Sequence, residues 1–317
     1  MKHSLSITLL LLALFLLTQI VGISTIAHYI GLTTDSEGNK RIVHADTILG
    51  EQPQIENKSY SAIPIIITVL LGTALLLLLI KLRLGKVWKL WFFLAVWITL
   101  TITLEVFIAQ AMAIALALVL ALLKIYRPNV FIHNLTEIFI YTGIAIIILP
   151  FLNLLSASIL LIIISLYDMI AVWKSRHMIA LATFQTESNL FAGLYIPYGK
   201  GEKRRKATNS AGIAKGAVPE EKAGKKASGS AASNAILGGG DLAFPLVFSA
   251  AVLEHLVLLG AAVTAAFTHA LLITAGAAIA LFLLFLRGQK GKFYPAMPFI
   301  SLGCFAGLAA IYLIRMI

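Results

Sequence analysis

Nine apolar runs, most of them close to twenty residues long, leave this chain few ways to fold. A helix of about 20 apolar residues spans the hydrocarbon core of a bilayer. Hydrocarbon offers backbone groups no water, so a spanning segment must bond within itself, as a helix does. The runs occupy 5–27, 62–80, 90–107, 109–123, 131–150, 154–173, 236–255, 261–286 and 295–314. The expected fold class is all-α, a polytopic membrane protein with nine transmembrane helices. Composition agrees, with 60% hydrophobic residues, 12% charged residues and a mean hydropathy of +0.94. The first run follows Lys2, is too long for a signal-peptide core and shows no cleavage site, so it reads as a membrane helix.

The basic residues set the expected orientation. With the amino terminus inside and nine spans alternating, only Lys40, Arg41, Lys58 and Arg315 of the 25 Lys and Arg fall outside; the other 21 (25 minus 4) fall inside. The net charge of +11 therefore reflects topology, and no nucleic-acid partner is expected. The chain divides into a six-helix region over 1–175, an interfacial segment with a flexible basic cytoplasmic loop over 176–235, and a three-helix region over 236–317. Within the loop, 177–198 reads as an amphipathic surface helix. Residues 199–233, rich in Gly, Ala, Ser and Lys, read as a mobile linker. The single cysteine, Cys304, excludes an intramolecular disulfide and a cysteine metal cluster.

Two aspartates stand inside apolar runs, where a charge costs at least about 2.5 kcal/mol. Asp168 follows Tyr167 late in the sixth run, and Asp241 follows Gly238-Gly239-Gly240 early in the seventh. Counted from the inner boundary at about Lys174, Asp168 lies roughly 9 Å deep; counted from Ile236, Asp241 lies roughly 7–8 Å deep. Two such carboxylates can share one proton, which suits activation of water against a peptide bond. The three glycines remove bulk, so a second backbone can come close. Pro245 lacks an N–H, so the carbonyl of Asp241 loses its helical donor. The same residues also suit a proton- or ion-coupled transporter, with both aspartates as relay groups and the glycine run as a broken helix.

Other polar residues read as structural. Glu105 is expected at the outer interface. Asn134 and Glu137 have the spacing of a capping box near the start of the fifth helix. His269 reads as a hydrogen-bonded core histidine. Glu254 and His255 are adjacent, which is not a metal-ligand spacing, and no HExxH occurs, so neither a metal site nor a cofactor is expected. Asn57-Lys58-Ser59 is an outside glycosylation sequon.

Tyr167-Asp168, Gly238-Gly239-Gly240-Asp241 and Pro295-Ala296-Met297-Pro298 resemble, in order and in helix number, the YD, GxGD and PALP motifs of the presenilin and signal-peptide-peptidase family of intramembrane aspartyl proteases. The short chain, with Phe184-Gln185-Thr186-Glu187-Ser188-Asn189 after the sixth helix, looks most like the archaeal presenilin homologues. The resemblance implies a presenilin-like fold and an aspartic endopeptidase with Asp168 and Asp241 as its catalytic pair. It implies Pro295, Ala296 and Met297 as a wall near that pair, with Tyr167, the glycine run and Pro298 shaping the site. Met297 stands where the family usually has Leu. The orientation resembles that of presenilins, which implies single-pass substrates with the amino terminus outside. The expected partners are those substrates and the cell-membrane bilayer, with a homo-oligomer allowed. Pro298 cannot donate to the carbonyl of Tyr294. The start of the ninth helix is therefore expected to be loosely tied and to move aside for a substrate.

Overall fold

The computed structural model describes residues 4–34, 40–51, 58–82, 84–127, 129–175, 191–198, 233–288 and 294–316. The amphipathic reading of 177–190, the mobility of 199–232 and residue 57 of the sequon lie outside the described residues. Nine long helices are present among those described. They are α1 (Leu5–Tyr29), α2 (Ala62–Lys81), α3 (Gly85–Glu105), α4 (Gln110–Tyr126), α5 (Val130–Ile148), α6 (Leu154–Ile170), α7 (Gly239–Leu258), α8 (Val263–Arg287) and α9 (Met297–Met316). Eight are long and apolar enough to cross a membrane, and Gln110–Tyr126 is a shorter apolar helix.

Helix boundaries follow local chemistry. Asn129 caps α5 by accepting the Phe131 N–H at 2.8 Å. Pro150 lies in the 3-10 turn Leu149–Phe151 that ends it. Asn153 and Ser156 open α6 with a reciprocal capping box, at 2.8 and 2.9 Å. The expected box at Asn134 and Glu137 is absent. Both residues lie inside α5, one and two turns in, and their side chains serve other elements. Asn134 brackets Tyr195, donating to its carbonyl at 2.8 Å and accepting its N–H at 3.0 Å.

Two short antiparallel sheets were not expected from the sequence. At one end of the bundle, β1 (Ile30–Thr34) pairs with β2 (Lys40–His44) in the register Ile30↔His44. His44 in β2 meets Glu254 of α7 at 2.5 Å. On the same side Glu105 accepts the Ile48 N–H at 3.1 Å, as an interfacial carboxylate should. His269 bonds the Ala265 carbonyl of its own helix at 2.6 Å. At the opposite end, β3 (Gly193–Tyr198) pairs with β4 (Ser233–Gly238), from Gly193↔Gly238 to Tyr198↔Ser233. Residues 193–198 are therefore a strand, not the end of a surface helix. The seventh helix starts at Gly239 rather than near Ile236, because the preceding backbone groups bond across the sheet.

The bundle is organised around α7. Of its spanning residues, 78% are buried, against 11% for α2, which faces outward along most of its length. Around α7 stand α1, α5, α6, α8 and α9. One tightly packed helix pair, α8 with α9, meets through glycines. A Cβ on Gly303 would stand 2.7 Å from the carbonyl carbon of Gly276, and one on Gly307 would stand 2.5 Å from the Cα of Ile273. Without bulk between them the backbones approach closely, which is how membrane helices gain packing energy when lipid is as apolar as the side chains. The substitution Gly303→Val is therefore expected to separate the pair. It should lower the thermal midpoint in detergent, with an overpacking cost of at least about 1–3 kcal/mol. An unchanged midpoint would mean that the two helices do not depend on this contact.

Candidate active site

Asp168 occupies the last turn of α6, where the helix passes into a single π turn, Ala171–Ser175. It is 9% exposed. A carboxylate so placed needs donors, and they come from the start of α9. The Met297 N–H donates to Asp168 Oδ2 at 3.1 Å, with the Ala296 amide beside it. The first amides of any helix have no partner within that helix. Here Met297 gives its N–H to Asp168, Pro298 has none to give, and Phe299 bonds the Ala296 carbonyl at 3.1 Å. The turn expected to be loose is thus tied to the aspartate through its backbone, and Pro298 removes a donor that would otherwise be stranded. Pro295 and Met297 are buried, and Ala296 and Pro298 half-buried.

One turn away a second link joins the same two helices. Ser165 Oγ and Ser301 Oγ lie 2.6 Å apart. Ser165 also bonds the Leu161 carbonyl at 2.7 Å, which uses its only proton, so Ser301 is the donor between the serines. Neither serine stands out in the sequence. Helical spacing from Asp168 and Met297, three and four residues on the sides that face each other, is the signal that could have found them.

Asp241 is the third residue of α7, one turn closer to the helix start than counting from Ile236 suggested. Gly238 is the N-cap. The Asp241 side chain folds back over it, and a Cβ on Gly238 would stand 3.3 Å from Asp241 Oδ2. The Gly238 amide bonds this carboxylate, the half of a capping box in which the third helical residue reaches back to the cap. The three glycines thus differ in what surrounds them. Gly238 makes room for Asp241 itself. Gly239 faces Tyr141, whose hydroxyl would lie 2.7 Å from a Cβ there. Gly240 is exposed.

Pro245 remains inside a continuous helix. Next to the carbonyl it deprives of a donor, Gln19 of α1 donates Nε2 to the Leu242 carbonyl at 2.8 Å. Loosening at this turn is therefore braced from α1. Tyr167 is half-buried and takes part through its carbonyl, which accepts the Ala171 N–H. The two carboxylates lie close enough to interact electrostatically. The structure brings together Asp168, Asp241, Gly238 and the 295–298 turn where the end of α6, the start of α7 and the start of α9 meet.

The chain matches the family model for signal-peptide peptidase, presenilin aspartyl protease, over residues 42–317. No curated protein matches it. Two solved structures of a presenilin family intramembrane aspartate protease share its fold. One, in space group P2, has a TM-score of 0.55 at 17% identity and covers 96% of each chain. The other, in space group C222, has a TM-score of 0.54 at 18% identity and covers 96% of this chain and 99% of that one.

The two links between α6 and α9 can be measured apart from any activity. A double-mutant cycle with Ser165→Ala and Ser301→Ala should give a coupling of roughly 0.6–1.7 kcal/mol in thermal or denaturant unfolding. Strictly additive effects would show that the serines do not bond.

Proposed function

This chain belongs to the signal-peptide peptidase and presenilin family of aspartyl proteases, and we propose that Asp168 and Asp241 are the catalytic pair with which it cuts. It is a multi-pass membrane protein and an intramembrane aspartic endopeptidase acting on membrane proteins within the bilayer. Nothing in the comparisons favours a transporter.

The observation that carries the assignment is the meeting of two carboxylates where the end of α6 and the start of α7 come together, Asp168 tied to the Met297 amide and Asp241 to its own cap, Gly238. Close carboxylates do not both ionise, so the pair holds one proton and titrates as a unit. The ionised member takes a proton from a water as that water attacks the scissile carbonyl carbon. The protonated member gives its proton to the carbonyl oxygen, and a neutral tetrahedral diol forms. In collapse, one hydroxyl of the diol returns its proton to the pair and the leaving nitrogen receives one. The products are a carboxyl and an amine, and the pair returns to its starting state.

A helical substrate must unwind first, and its freed backbone groups then need partners. The edge of β3 away from β4 is engaged by Asn134, which takes both backbone groups of Tyr195. The other edge of β4 carries no strand among the described residues, and β4 leads directly into Gly239 and Asp241. A substrate strand laid along β4 would gain main-chain hydrogen bonds and be led to the pair. The distribution of Lys and Arg supports a cytoplasmic amino terminus, a cytoplasmic 176–235 loop and an outside carboxyl terminus. Substrates are then single-pass proteins with the amino terminus outside.

Asp168→Asn and Asp241→Asn should each lower cleavage of a single-pass substrate by at least about a thousandfold, and the double variant should be no worse than the worse single. Helical content should be retained, and the parent should show a bell-shaped pH–rate profile. Near-parent activity in either variant would overturn the pairing.

A further inference from the structure

Lys124 and Glu137 form a buried ion pair on α4 and α5, outside the set of residues that the reaction uses. Their Nζ and Oε1 lie 2.6 Å apart, and the two side chains are 2% and 1% exposed. All three ammonium protons find acceptors, since Nζ also reaches Thr136 Oγ1 at 3.2 Å and His133 Nδ1 at 3.3 Å. His133 Nε2 must then carry the proton, and it donates to the Gly193 carbonyl at 2.8 Å. Glu137 Oε2 accepts the Gly193 N–H at 3.1 Å and the hydroxyl of Tyr141.

The path of this network matters more than its completeness. Gly193 begins β3 and pairs with Gly238, the cap of α7. The Tyr141 hydroxyl rests against Gly239, the first residue of α7, and lies within electrostatic reach of Asp241. Glu137 therefore grips the start of α7 twice, once through β3 and β4 and once through Tyr141. A buried ion pair is weak evidence of stability, because desolvation opposes the Coulomb gain. Fixed geometry is what such a pair supplies when every partner is satisfied.

We propose that Glu137 and Tyr141 are positioning residues, with Lys124 holding Glu137, that set where Asp241 stands relative to Asp168. The proposal rests on the reading of Asp241 as catalytic. Loss of the grip lets the first turn of α7 shift without unfolding the bundle.

The test compares Tyr141→Phe, the double variant Lys124→Met with Glu137→Met, and Asp241→Asn, in detergent with a single-pass substrate. Active sites are counted by titration with a hydroxyl-bearing transition-state analogue, so that kcat refers to competent sites. Tyr141→Phe removes one hydroxyl. The double variant removes both charges together, so no unpaired charge is left buried. The proposal expects kcat per titrated site to fall between about tenfold and a hundredfold, the scale of a misplacement near 1 Å. KM should change little, and the pH–rate profile of Tyr141→Phe should move. A loss of titratable sites with parental kcat per site and a parental pH profile would make the network merely structural and overturn the proposal. If the double variant does not fold, Tyr141→Phe decides alone. Retained activity in Asp241→Asn would instead sink the catalytic assignment, an outcome separate from parental behaviour in Tyr141→Phe.

Discussion

A carboxylate inside a bilayer has no bulk water to solvate it, and this bundle answers that demand with backbone amides. Asp168 draws on the start of α9 through the Met297 N–H. Asp241 draws on its own cap, Gly238. Both sources are helix starts, the places where a helix has amides to spare and where its dipole favours negative charge. This explains why an otherwise apolar chain carries two special turns, one of glycines and one of prolines. The glycines let a side chain fold back on its cap. The prolines start α9 with no stranded donor, leaving the Met297 amide for the aspartate.

The same constraint shapes the rest of the fold. The helix that presents Asp241 from its first turn, α7, runs through the middle of the bundle, and 78% of its spanning residues are buried. A central helix needs neighbours on every side, which α1, α5, α6, α8 and α9 supply. Close glycine contacts pack α9 against α8, and the Met297–Asp168 and Ser301–Ser165 bonds tie its start to α6. Gln19 braces α7 where Pro245 interrupts its ladder. Interhelix contacts thus gather around the two carboxylates, while α2 faces outward along most of its length.

Much of this was legible in the chain itself. The run 5–27 became Leu5–Tyr29 and the run 109–123 became Gln110–Tyr126, because apolar length and basic punctuation act locally. The aspartates stood out because charge is costly inside such runs. Other features depend on distance. Gly193 and Gly238 pair at a separation of 45 positions (238 minus 193), and Ile236 and Leu237 are apolar enough to pass for the start of a helix. Glu137 looked like half of a capping box since its true partner, Lys124, stands on the preceding helix and looked like a topology signal. The clue was present: a carboxylate inside the fifth apolar run, too costly to bury alone, and a lysine at the very end of the fourth.

The central claim is that Asp168 and Asp241 act together on one scissile peptide bond, one through the attacking water and the other through the carbonyl oxygen. An experimental structure with a transition-state analogue, its hydroxyl in place of the tetrahedral centre, tests this most directly. The account predicts that hydroxyl within hydrogen-bond distance of both carboxylates, with the peptide backbone extended along β4. A hydroxyl held by only one aspartate, or seated away from the ends of α6 and α7, would contradict it.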